Sequence, residues 1–127
     1  NLIDDKLSDY ILTGSSVLYL FKLLDRLPND YDVIINHEVQ KKCGNIIRVP
    51  DFMYLETTHL NFNRLGVIKD NTTEIDVFLN NHKKYDTSRI GGYKIKYESP
   101  LSILKYKNGM YSNKNQNDLY EVFSKLL

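Results

Sequence analysis

The chain predicts a mixed α/β (α+β) fold, in which a mixed β-sheet packs against helices and further helices close the C-terminus. Three observations carry that expectation. A short β-favouring run, Tyr10-Ile11-Leu12-Thr13, ends at Gly14 and gives way to apolar residues at helical spacing from Val17 to Leu27. A second β-favouring run, Tyr31-Asp32-Val33-Ile34-Ile35, comes next, so the chain opens as strand, turn, helix, strand. Late in the chain, Ser99-Pro100 and Asp118-Leu119-Tyr120-Glu121 read as the starts of two helices, the first through Pro in the first turn and the second through a capping box.

Taken in order, Gly14 supplies the tight turn that a strand-to-helix junction needs, and Ser15 or Ser16 then serves as N-cap. Val17, Leu20, Phe21, Leu24 and Leu27 form the apolar face of a mostly buried helix, with Lys22, Asp25 and Arg26 elsewhere on it and Pro28-Asn29 as the stop. The segment from Asn36 to Asn63 is less regular: His37 to Lys42 can begin a helix, and Ile46-Ile47-Arg48-Val49 has strand character up to Pro50. Arg64 to Lys69 and Glu74 to Leu79 are strands flanking Asp70-Asn71-Thr72-Thr73, a polar hairpin loop. Tyr93 to Tyr97 alternates as a further strand. The helix opened by Ser99-Pro100 runs to about Lys107 and stops at Asn108-Gly109; Ser112 to Asn117 reads as a loop, and the last helix spans about Asp118 to Leu126 with Asp118 in the cap position. No internal repeat is visible.

A chain of 127 residues is long enough to bury a core without staples, so residues 1–127 are expected to form a single domain. Apolar residues make up 42% and charged residues 26%, ordinary globular usage that argues against disorder. Cys43 is the only cysteine, which points to a reducing cytoplasm rather than a disulfide scaffold. No apolar run approaches the roughly 20 residues that span a bilayer, and Asn1 to Lys6 lacks a basic stretch followed by an apolar one, so the expectation is a soluble, cytoplasmic protein with no membrane partner. Net charge is +1, but residues 1–80 hold 8 Lys/Arg against 12 Asp/Glu, whereas residues 81–127 hold 9 against 4. An acidic lobe and a basic tail suit cations held by carboxylates beside lysines that approach polyphosphate; uneven solvated surface is the plainer alternative.

The chemistry is suggested by two short pieces one helix apart, Thr13-Gly14-Ser15-Ser16 and Asn29-Asp30-Tyr31-Asp32-Val33. A Gly-Ser turn at a helix start offers backbone N–H groups to an anion. Asp30 and Asp32, two residues apart, point the same way from the start of a strand, and Asp76, between Ile75 and Val77, can join them from a neighbouring strand. Glu74 lies on the same strand face as Asp76 and is the alternative third acid. Two or three carboxylates suffice for magnesium, which keeps waters and substrate phosphates as its remaining ligands. Two such ions about 3.5–4 Å apart clamp the attacking and leaving oxygens of an in-line displacement. His37, His59 and His82 show no zinc-ligand spacing.

These residues resemble the nucleotidyltransferase superfamily, the polymerase-β-like fold. Its pattern is a hydrophobic residue, Gly, then Gly or Ser, an acid-hydrophobic-acid-hydrophobic run about a helix later, and a third acid flanked by hydrophobics. The corresponding positions are Thr13-Gly14-Ser15, Asp30-Tyr31-Asp32-Val33 and Ile75-Asp76-Val77, with Thr13 standing where an apolar residue is usual. The likeness is nearest to the small bacterial branch that includes AbiEii-type toxins. Arg26, four residues before Asp30, matches an Arg often found there; Ser99-Pro100-Leu101, Lys107, Lys114 and Asp118-Leu119 are similar to its C-terminal pattern, from which Asn115 departs by replacing an Asp. About residues 11–35, 74–79 and 99–121 are covered.

The resemblance implies transfer of a nucleoside monophosphate from an NTP such as ATP to an acceptor hydroxyl or phosphate, on a small molecule, an RNA end or a protein, with pyrophosphate leaving. It implies that Gly14, Ser15 and Ser16 hold the nucleotide and that Asp30, Asp32 and Asp76 bind Mg2+, two ions in all, with Asp76 alternatively taking the acceptor proton. Lys107 neutralises phosphate charge in that scheme, although a lysine near a helix C-terminus is also explained by the helix dipole. The alternative function is an inactive nucleotide-binding or toxin–antitoxin-type regulatory module on the same fold.

Overall fold

A computed structural model describes residues 9–43, 47, 63–69, 73–109 and 112–126. The mixed α+β expectation holds. Six strands form one sheet: β1 (Ile11–Thr13), β2 (Tyr31–Ile35), β3 (Asn63–Lys69), β4 (Glu74–Leu79), β5 (Asp86–Ile90) and β6 (Tyr93–Tyr97), in spatial order β3-β4-β2-β1-β6-β5. β2 runs parallel to β4 and β1 parallel to β6, while the β1–β2, β3–β4 and β5–β6 pairs are antiparallel. Among the described residues the helices are α1 (Ser15–Leu20), α2 (His37–Cys43), α3 (Pro100–Gly109) and α4 (Asn113–Leu126).

β2 explains why the sheet is centred where it is. Val33, Ile34 and Ile35 are consecutive and all buried, as befits a strand covered on both faces. Val17, Leu18 and Leu24 pack with Leu12, Val33, Ile35, Ile75 and Val77 in the main core, which also takes in Ile103 from α3 and Val122 from α4. Burial of such side chains supplies about 1.5–3 kcal/mol each.

Register decides the rest. Thr13 lies opposite Asp32, and Asp32 opposite Asp76, so one row across β1, β2 and β4 carries a hydroxyl and two carboxylates on the same face of the sheet.

Local expectations at both ends of the chain are corrected. The first helix stops at Leu20, well short of Leu27. Lys22 adopts φ 61, and the Leu23 N–H donates to the Leu18 carbonyl (2.8 Å) while the Lys22 N–H donates to that of Tyr19 (3.0 Å). That pair of bonds is a Schellman ending, with Lys in the place usually given to Gly. Val17 and Leu24 are buried as their spacing predicts, but Leu20, Phe21 and Leu27 are exposed, the last at 66%. The N-cap is Gly14 rather than a serine; Ser16 is buried and its hydroxyl donates to the Thr13 carbonyl at 3.0 Å.

The last helix begins at Asn113, and Asp118 sits inside it instead of capping it. Ser112 is the cap, accepting the Asn115 N–H at 3.1 Å. The polar residues Asn113, Lys114, Gln116 and Asn117 are the exposed face of a helix whose inner face carries Asp118, Leu119 and Val122. β5, Asp86–Ile90, has no apolar alternation to announce it; its partner β6 recruits it through Gly91 and Gly92, both at positive φ as a two-residue hairpin turn requires.

Elsewhere the elements match. α2 is capped by Asn36, whose Oδ1 accepts the Val39 N–H at 3.0 Å, and α3 by Ser99, whose Oγ accepts the Ser102 N–H at 3.2 Å. β3 and β4 pair as expected; the hairpin residues 70–72, the strand read at 46–49, apart from Ile47, which is in no strand, and His59 lie outside the described residues. No helix among the described residues is long and apolar enough to cross a membrane.

Candidate active site

Asp30, Asp32 and Asp76 converge. One carboxylate oxygen from each lies within 4.8 Å of the others, although Asp30 comes from the bend before β2, Asp32 from β2 and Asp76 from β4. The sheet enforces this, because parallel pairing of β2 with β4 sets Asp32 beside Asp76. Glu74 is turned to another use: its carboxylate pairs with Lys69 at 3.0 Å on the strand opposite.

Three acids so close repel one another. Burial first, and then the charges of Asp30 and Asp76, push the Asp32 carboxyl up from its ordinary 3.8 to about 7, with Lys114 and Lys107 pulling the other way. A divalent cation relieves that repulsion, and oxygen-only ligands are what magnesium takes. The donor set therefore fits the metal that the resemblance implies.

Gly14 makes the arrangement fit. It has φ 74 and ψ −157, and a Cβ built there would lie 2.6 Å from Asp32 Oδ2. Both the conformation and the space exclude a side chain. The turn expected from sequence is thus also the wall against which the second aspartate rests.

Beside the turn is a compact ion network. Asp118 accepts from Arg26 Nε (3.1 Å) and Nη2 (2.8 Å) and from Lys107 Nζ (3.0 Å). Burial opposes the Asp118 charge, but the hydrogen bonds from Arg26 and Lys107 outweigh it and hold the carboxyl below its usual range. Arg26 Nη2 and Lys107 Nζ also donate to Ser15 Oγ, at 3.2 and 3.3 Å. Both cations of the network therefore meet at Ser15. With both lone pairs of that hydroxyl engaged, its proton is the part left to donate to an anion. Because α1 is only six residues long, the attraction for anions rests on these cations more than on a helix dipole.

A cleft of about 420 Å3 joins the two features, lined by Gly14, Ser15, Asp32, Lys107 and Lys114 at this end. Tyr106 also lines it, and its phenol is pushed up by burial and by the charges of Asp32 and Glu98.

Four groups in or beside the cleft went unmarked in the sequence analysis. Glu98 is buried, and its carboxylate accepts from Thr13 Oγ1, from Ser102 Oγ at 2.5 Å and from Lys83 Nζ at 2.6 Å. Thr13 therefore departs from the apolar pattern because its hydroxyl has a buried acid to bind. Asn80, Lys83 and Tyr106 are the others. Asn80 had a signal, since Asp76, Phe78 and Asn80 continue one period-2 face; Glu98, Lys83 and Tyr106 had none.

No family model matches the chain, and neither curated proteins nor solved structures give a significant match.

Proposed function

We propose that this chain is a metal-dependent nucleotidyltransferase acting in the cytoplasm. The observation that carries the reading is the gathering of three carboxylates from separate stretches of backbone within 4.8 Å of one another, next to a cleft that Ser15, Lys107 and Lys114 also line. Carboxylates hold the cations; Ser15, Arg26 and Lys107 meet the phosphates. Magnesium bound at Asp30, Asp32 and Asp76 supplies charge neutralisation on the reacting phosphoryl group and on the departing pyrophosphate.

In this reading an acceptor oxygen attacks the α-phosphorus of an NTP. A new P–O bond forms, the bond between the α-phosphorus and the bridging oxygen breaks, and pyrophosphate carries away the electron pair. Asp76 takes the acceptor proton or shares in holding the second cation, a role supported by its closeness to Asp30 and Asp32. Ser15 donates its hydroxyl proton to a phosphate oxygen, and Lys107, anchored by Asp118, keeps positive charge there without moving. Catalysis of this kind rests on positioning and electrostatic stabilisation, since the phosphoryl centre needs little covalent help.

The deciding experiment is incubation of the protein with each α-labelled NTP, Mg2+ and cell extract, beside Asp32→Asn and beside a chelator control. Label should pass to an acceptor, or to the protein itself, only with the parent protein and metal. NTP binding without label transfer or pyrophosphate release overturns the enzymatic reading in favour of a binding module.

A further inference from the structure

The cleft has a second end. Asp76 and Phe78 lie on one face of β4, and Asn80 extends that alternation by one residue, because its N–H still donates to the Ile35 carbonyl at 3.0 Å. Four residues of extended chain, about 13 Å, separate Asp76 from Asn80, and the cleft runs beside that stretch past Phe78 to Asn80. Its middle is apolar, with Phe78 on the sheet side and Ile103 and Tyr106 on the α3 side. Beyond them stand Asn80, Lys83 and Ser102.

The groups that this far end holds out from Asn80 and Lys83 are donors, beside the lone pairs of Ser102. Asn80 Oδ1 is engaged by the His82 N–H at 2.9 Å, and among the described residues the amide N–H2 has no partner. Lys83 carries three N–H donors and its one partner among the described residues is Glu98, at 2.6 Å. Ser102 donates its proton to the same carboxylate, leaving only lone pairs. Glu98 has Thr13 on one oxygen and Ser102 and Lys83 on the other, so the lysine is held in place rather than free to swing away.

We propose that this end reads the base of the donor nucleotide and selects one with a ring carbonyl, guanine or uracil, over the amino bases adenine and cytosine. The inference rests on the nucleotidyltransferase reading, which puts the phosphates at Ser15 and so runs the nucleoside along the apolar middle toward Asn80 and Lys83. Guanine O6 and uracil O4 accept from these donors; adenine N6 and cytosine N4 present N–H groups that meet them donor to donor. Asn80 and Lys83 are then the specificity-determining residues, and Glu98 positions the lysine.

The test is isothermal titration calorimetry on the full chain with Mg2+, using non-hydrolysable α,β-methylene analogues of GTP, UTP, ATP and CTP, with inorganic tripolyphosphate as a probe lacking any base. The GTP and UTP analogues should each bind at least about tenfold more tightly than those of ATP and CTP. Asn80→Asp, which exchanges the N–H2 donor for an acceptor, should shift the ratio toward ATP and CTP; the double variant Lys83→Met with Glu98→Gln, which removes both partners of the ion pair, should shrink it. If tripolyphosphate binds and an amino-base analogue matches either keto-base analogue, the base assignment is overturned and the nucleotidyltransferase reading stands. If no probe binds in the presence of Mg2+, both are overturned. An unchanged ratio in both variants overturns the roles of Asn80 and Lys83.

Discussion

Asp32 and Asp118 are the same side chain, one lining the cleft and the other holding the Lys107 that lines it, yet their surroundings drive them in opposite directions. Asp118 lies between Arg26 and Lys107 and is held ionised, its carboxyl below the usual range despite burial. Asp32 is half-buried beside Asp30 and Asp76 and is pushed up to about 7. A carboxylate whose partners are built into the protein serves the fold. One whose neighbours are other carboxylates is left for a cation from outside, and the fold carries a cost until that cation arrives.

The sharpest way to break this comparison is Asp32→Asn. Label transfer should fall on the order of 10³-fold. Metal-free stability should move the other way. A carboxyl raised from 3.8 to about 7 on folding contributes stability that is complete below about pH 4 and is lost as pH rises through about 7, a change on the order of 4 kcal/mol. Urea unfolding in chelator from pH 4 to 8 should show this decline in the parent and a flatter profile in the variant, and Mg2+ should restore the parent. A parent indifferent to both pH and metal means that Asp32 does not face the other acids.

Asp118→Ala tests the opposite case. It strands Arg26 and Lys107 around a vacated site and should cost about 3 kcal/mol, read as a lower urea midpoint at neutral pH. The sign with pH is reversed as well: the Asp118 contribution is complete above the ordinary carboxylate range and fades as pH falls through its lowered value, so the penalty of the variant should shrink in acid.

Gly14→Ala should be next, at about 2 kcal/mol, because the residue's backbone region is nearly glycine-only and the new Cβ meets Asp32 Oδ2. Mg2+-dependent stabilisation should weaken with it if the turn positions the carboxylate. Lys22→Gly, outside both environments, gives the scale of a backbone change alone: a gain of about 1 kcal/mol or less in thermal or urea unfolding, as the left-handed Schellman position is relieved.

Much of this was legible in the residue order. β2, β4 and β6 are bounded as their patterns predict, and the period-2 spacing of Asp30 with Asp32 is visible in the string. Where local reading went astray, a distant partner had overruled it. Asp118 resembles a cap until Arg26, 92 positions away, and Lys107 claim it from within a helix. The polar run before it resembles a loop until the apolar residues beyond turn one face inward. β5 has no pattern of its own and exists because β6 folds back on it.

Residue order alone settled which stretches are strand or helix where apolar periodicity was strong, though not where the first helix stops, and it named an aspartate pair with two candidates for a third acid. Only tertiary structure decided that Asp76 rather than Glu74 joins the pair, that Thr13 and Lys83 meet on Glu98, and that Arg26 and Lys107 share Ser15. The physical reason is range. Periodicity and capping act over a few residues, whereas strand register and buried charge pairing join residues 44 to 92 positions apart, and no local pattern encodes which of several acids will face which cation.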